Sequence, residues 1–172
     1  MGMARFELDP SASTVVIEGA SSVHPIRAEA ARLSGWVEIS LTRTGVAASP
    51  RVAAEVRIDV ERLRSGNPLV DRETRRRIDA RRHPEIVGTV TGSRRISPEQ
   101  VELTGEITFR GEVCAVEGEL TVSVDGDGLH VVGEATFDVR RWALQPPRAA
   151  LLRVHPEITV RLDAVAHAVA PA

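Results

Sequence analysis

The chain has 172 residues, a formal net charge of −2, and 42% hydrophobic and 27% charged residues. That composition suits one globular domain with a sizeable core and excludes a disordered chain; no apolar run is long enough for a membrane-spanning helix, and there is no basic excess of the kind nucleic-acid binders carry. All 22 basic residues are Arg, which reads as coding bias rather than selected chemistry, and the lone Cys114 excludes an internal disulfide or a cysteine-based zinc cluster.

The N-terminus lacks a basic cap followed by an apolar stretch, so no signal peptide is expected and the location expected is cytoplasmic. Phe6-Glu7-Leu8 is a short strand candidate ending at Asp9-Pro10, and Thr14 to Ala20 is a second, rich in β-branched residues. Ser21 to Pro25 breaks the pattern, because proline cannot donate to a ladder and keeps the residue before it out of a helix. Ile26 to Leu41 then alternates twice, first in Ile26, Ala28 and Ala30, next in Leu33, Gly35, Val37, Ile39 and Leu41. After a loop at Thr44 to Pro50, Val52 to Val60 alternates again. The period changes at Asn67, which suits an N-cap with Pro68 at the first helical position, and Leu69 or Val70, Thr74 and Ile78 supply an apolar stripe. His83-Pro84 ends that helix, and Ile86, Gly88, Val90 and Gly92 open the next strand.

Gln100 to Asp138 reads as an antiparallel meander of three strands. Val101, Leu103, Gly105, Ile107 and Phe109 share one face; Cys114, Val116, Gly118, Leu120, Val122 and Val124 share the next; Leu129, Val131, Gly133, Ala135 and Phe137 share the third. Arg110-Gly111-Glu112 and Asp125 to Gly128 supply the hairpin turns. A loop at Arg140 to Arg153 precedes a last strand with Ile158, Val160, Leu162, Ala164 and Ala166 on one face. Eight or nine strands, a single helix and no second domain imply a sandwich or a barrel, and glycines recurring on the apolar face favour a barrel with internal space.

Several segments carry a resemblance to a known family. Phe6, Leu8, Asp9, Ser13, Val15 and His24 in order, then Gly35, then Ser65 to Ile86 with Asp71, a helix and a closing His-Pro-Glu-Ile, and Leu103 to Gly111, together resemble the YceI-like family. The resemblance covers Phe6 to Ala166 and implies one all-β domain over 1–172, core about 5–167: an antiparallel eight-stranded lipocalin-like barrel with one short surface helix, holding a polyisoprenoid or similar amphiphile in an internal tunnel. Many relatives begin with a secretion signal, which is not expected here, and Arg140 to Arg148 does not align with the family; with no Tyr and only Phe6, Phe109 and Phe137, the tunnel is expected to be mostly aliphatic.

The expected tunnel wall is Val37, Ile39, Val56, Ile58, Val90, Leu103, Ile107, Phe109, Leu120, Val122, Val131, Phe137, Val160 and Leu162. A solidly packed core gives the same alternation, and the resemblance favours the cavity. His24, Arg76 and Trp142 are candidates for the mouth or a head group. The arginines of the helix suit an anionic head group, or form a solvated face paired with Asp71, Glu73 and Asp79. Trp142 with Pro146-Pro147 is either a lid or a cover over one end of the core, and Trp36, off the apolar parity, is a site for a homodimer contact. His24, His83 and His155 each precede a proline, but no element places two on one face, so they read as rigid turns and no metal is expected. No nucleophile–base pair, acid cluster or phosphate loop is present. The expected function is that of a carrier for an isoprenoid quinone or polyprenyl phosphate, without cofactor, nucleic acid or stable membrane insertion. An isomerase or cyclase using the same cavity and a stress-related interaction module remain as alternatives.

Overall fold

Strands with one apolar face can hide those faces together only by stacking or by closing. In the computed structural model, which describes residues 2–146, 148–149 and 151–170, they close. The elements are β1 (Met3–Leu8), β2 (Thr14–Ser21), β3 (Ile26–Ala31), β4 (Ser34–Thr42), β5 (Gly45–Val46), β6 (Val52–Asp59), α1 (Pro68–Ile78), β7 (Glu85–Ser97), β8 (Gln100–Phe109), β9 (Glu112–Asp125), β10 (Gly128–Asp138), β11 (Arg148–Ala149) and β12 (Leu152–Ala168). Eight of them form an antiparallel barrel in the order β1-β4-β6-β7-β8-β9-β10-β12, shut by pairing Phe6 with Ala168 and Leu8 with Ala166.

The long β12 serves two neighbours on one side. Ala166–Ala168 pair with β1, whereas Val154–Asp163 pair with β2, which in turn carries β3. Where the neighbour changes, Ser13 is fully buried and its Oγ donates to Val165 O and accepts from Val165 N, both at 3.1 Å. The outer edge of β3 is tied back to the chain by reciprocal backbone bonds between Glu29 and Arg64.

The meander lies in the expected register, with a two-residue turn at Arg110 and Gly111 (φ 54° and 77°) and another at Gly126 (φ 61°). Three local expectations are corrected. Val124 is 46% exposed, because it sits at the hairpin tip beyond the packed interior. A bulge between Val90 and Gly92 flips the alternation of β7, so Gly92, expected to continue the face of Ile86, Gly88 and Val90, opposes outward-facing Thr104, Arg95 opposes inward-facing Val101 and Ile96 is left exposed. His155-Pro156 does not feed a strand but lies inside β12, at the irregularity between Val154 and Ile158 where a proline without an N–H is tolerated.

The two ends of the barrel differ. At one, β5 folds over: Val46 is buried and its N–H donates to Pro98 O at 2.8 Å. Gly45 (φ 131°) is required there, since an added Cβ would collide with the Pro98 carbonyl. At the other end lies α1, capped by Asn67 Oδ1, which accepts from the N–H groups of Leu69 and Val70. Val70 and Ile78 are buried, so the stripe runs through Val70, and Leu69 faces water.

Charged side chains form a band across the outer face. Arg94 bonds Glu102 at 2.9 Å, Arg161 bonds Glu134 at 2.7 Å and Glu18 at 2.9 Å, and the register puts Glu119 directly opposite both Glu102 and Glu134. Glu119 is exposed and has no basic partner among the described residues. Like charges directly opposite destabilise a ladder. Glu119→Arg is therefore expected to raise the unfolding free energy measured by urea titration by roughly 0.2–1 kcal/mol, with a higher midpoint at unchanged slope; an unchanged or lowered midpoint would show that this band is not under repulsion.

Candidate ligand cavity

The inward residues are too small to fill the barrel. Gly88, Gly105, Gly118, Ala54, Ala135 and Ala164 all face inward, and at Gly88 an added Cβ would meet nothing within 4 Å. The space forms two cavities, of about 250 and 200 Å³, that meet at Ile107 and Phe137, which line both.

The structure places every expected wall residue on this interior. Val37, Ile39, Val56, Val90, Leu103, Leu120, Val122, Val131 and Leu162 line the first cavity, on the side toward β5. Ile58, Phe109 and Val160 line the second, under α1. The sequence list missed Leu8, Val52, Val101 and Leu129, which share the parity of their strands and could have been found by it.

The lining is mostly aliphatic, as expected, although Thr89, Thr104, Glu106 and Glu117 also border the first cavity and the second has a polar rim. There α1 contributes Asp71, Thr74 and Arg75, Ser65 lies beside them, and His155 comes from the irregular stretch of β12. The strand parity analysis missed these groups because a helix and a bulge supply them. The available signal was helical spacing: Asp71 and Arg75 each follow a residue of the Val70, Thr74 stripe by one position. Asp71 is already engaged, accepting from Ser65 N at 2.8 Å and Ser65 Oγ at 2.6 Å. Arg75 is less committed, with Nε 4.0 Å from Glu61 Oε2. An oxygen-bearing group at this rim therefore meets a guanidinium with free donors.

Trp142 is buried in the floor of the second cavity, on a 3₁₀ turn over Val139–Trp142. Its Nε1 donates to Ile107 O at 2.9 Å, and its ring meets Phe137 edge to face at 6.0 Å. It covers the core rather than acting as a free lid. Pro146 also lines the cavity, and Pro147 lies outside the described residues.

Two head-group candidates lie away from the cavity. His24 is exposed in the β2–β3 turn, its Nδ1 donating to Pro25 O at 3.0 Å. Arg76 points to solvent, held by Glu73, which also binds Arg77. Trp36 faces outward as expected, and the Arg5 guanidinium of the same chain covers it at 4.6 Å. Cys114 is partly buried near Arg141 O. No group of three metal-ligating side chains occurs among the described residues.

An eight-stranded antiparallel barrel with a largely apolar interior and polar side chains gathered under its helix is a lipocalin-like barrel. A family model for the YceI-like domain matches residues 6–166, and the chain belongs to that family. Solved structures share the fold at low identity. BcnA of Burkholderia cenocepacia superposes with a TM-score of 0.76 at 15% identity, covering 92% of this chain and 98% of that one. A polyisoprenoid-binding domain from Saccharophagus degradans, implicated in plant cell wall breakdown, gives 0.74 at 14% identity, covering 97% and 99%. The Campylobacter jejuni YceI protein gives 0.63 at 13% identity, covering 81% and 82%. A comparison with curated proteins finds no significant match.

The hydrogen bonds from Arg76 and then Arg77 hold the Glu73 carboxyl down to about 2 from an ordinary 4.5. A carboxyl whose folded value is depressed stabilises the fold above its unfolded value and loses that contribution as pH falls toward the folded one. Glu73 is thus expected to stay ionised through pH 4 and to protonate only near 2, with α1 loosening as it does. Carbon-detected NMR titration checks this, and Arg76→Gln should move the midpoint upward; an ordinary midpoint in the unaltered protein would show that the forked pairing does not persist in solution.

Proposed function

We propose that this protein is a binding protein for an amphiphile with a long apolar tail, of the isoprenoid quinone or polyprenyl phosphate kind, and that it carries its ligand rather than transforming it. The observation that carries this reading is the arrangement of the interior: two largely apolar cavities that share Ile107 and Phe137 in their walls, with Ser65, Thr74, Arg75 and His155 gathered at one rim. The name of the Saccharophagus degradans relative, a polyisoprenoid-binding domain, supports the same choice.

Affinity follows from burial alone. Each methylene moved from water into such a wall contributes about 0.8 kcal/mol, so a prenyl tail binds tightly without directional contacts. The rim then fixes which way round the ligand lies, because a polar head carried inward would lose its water without gaining partners. Head outward, it meets the Arg75 and Thr74 donors. Catalysis would need titratable groups converging on a reacting bond, whereas most of the residues facing these cavities are aliphatic.

Gly88 provides the test. Because its side-chain position is empty, Gly88→Leu should fill the first cavity without a clash, leaving thermal stability unchanged or raised. Mass spectrometry of the native protein and of its solvent extract is expected to recover a prenyl-tailed lipid in near-equal amount from the unaltered chain and little from Gly88→Leu. Equal recovery from both, or a clean protein mass that added quinones and polyprenyl phosphates do not alter, would overturn the proposal.

A further inference from the structure

Positive charge concentrates in two segments of the chain that line the second cavity. Residues 60–84, from the turn after β6 through α1, and residues 139–153, from the Trp142 turn to the start of β12, together hold twelve of the 22 arginines but only four of the 24 acidic residues, Glu61, Asp71, Glu73 and Asp79. They contribute +8, and the remainder of the chain, with ten arginines and twenty acids, contributes −10. Both segments line the second cavity, supplying Val70, Arg75, Trp142 and Pro146 to it.

Some of these arginines are committed within the fold. Glu73 holds Arg76 and Arg77, and Asp138 holds Arg140. Arg72, Arg81, Arg148 and Arg153 are exposed and have no acidic partner among the described residues.

Apolar side chains project from the same end. Val23 in the β2–β3 turn is 63% exposed, Leu69 in the first turn of α1 62%, and Leu151 ahead of β12 88%. Beneath them Ile26, Val70 and Leu152 pack in one buried cluster, and Ser22 Oγ donates to Leu151 O at 2.9 Å, so the three tips belong to one corner of the molecule. Large apolar tips with unpaired cations on the same and adjoining segments mark an interaction surface.

We propose that this end of the barrel docks on an anionic membrane surface. Val23, Leu69 and Leu151 enter the headgroup layer, Arg72, Arg81, Arg148 and Arg153 meet lipid phosphates, and the mouth faces the bilayer. A fluid bilayer suits the pattern better than a protein partner does, since the tips are separate points on three elements rather than a continuous patch, and the cations surround them without a fixed pairing geometry. The acidic remainder of the chain is repelled by the same surface, which sets the orientation. Docking does not depend on what the cavity holds. If the cavity does carry an amphiphile, docking gives the tail a path from bilayer to barrel that avoids water.

Cosedimentation of the full chain with vesicles tests this. Binding is expected to phosphatidylcholine vesicles containing phosphatidylglycerol, not to phosphatidylcholine alone, and to weaken as salt is added. Each Arg→Gln change at positions 72, 81, 148 and 153 should weaken it about fivefold. The pair Leu69→Ser and Leu151→Ser should weaken it more than about tenfold with thermal unfolding unchanged, since both side chains are exposed. Gly88→Leu, with its cavity filled, should still sediment, which separates failure to dock from failure to hold a lipid. A protein left in the supernatant with phosphatidylglycerol vesicles, or a Ser pair that sediments like the unaltered chain, would overturn the proposal.

Discussion

The seventeen residues of β12 hold this molecule together. An antiparallel barrel is stable only if its first and last strands meet, because an open edge leaves a row of unpaired backbone groups. Here β12 meets β1 over a short stretch and then passes to β2 for the rest of its length. The exchange of partners would leave Val165 without bonds on that side. Ser13 Oγ and the Asp9 N–H take the place of the missing strand residue, the latter donating to Val165 O at 2.7 Å. The two cavities differ through that exchange: β1 contributes Leu8 to the wall of the first, and β2, β3 and α1 contribute Ile17, Ile26 and Val70 to the second.

Close packing is the rule in protein interiors, and this interior departs from it in an organised way. Along the meander and β7 the inward positions are occupied by glycine, alanine and aliphatic residues that do not reach the middle. Two of the glycines are fixed by the backbone rather than by the cavity: Gly35 has a φ of 141° and an added Cβ would strike the Glu55 carbonyl, and Gly105 would strike that of Thr89. Gly88 answers to neither constraint, so its small size is a property of the space in front of it.

The fold was largely legible because alternation determines which side of a strand faces inward. The residues behind the family resemblance divide: Asp9 accepts from Ser11, Ser13 spans the strand exchange and Gly35 permits a close approach of β4 to β6, whereas Leu8, Leu103, Ile107 and Phe109 line the cavity. The rim was less legible. Asp71 and Arg75 reach it from a helix, whose side chains obey another period, and His155 from a bulge, where alternation fails. Arg95 shows the same failure at the bulge in β7. Proximity between α1, the Trp142 turn and β12 arises only when the barrel closes, and local pattern carries no information about it.

The chain contains two tryptophans and no tyrosine, so its near-ultraviolet emission comes from two indoles in unlike surroundings. Trp36 lies on the outer face beneath the Arg5 guanidinium, remote from the interior. Trp142 is buried in the floor of the second cavity against Phe137. One indole is a constant and the other a gauge: the colour of the difference between them belongs to the cavity alone, and the barrel carries its own optical record of whether that space is filled.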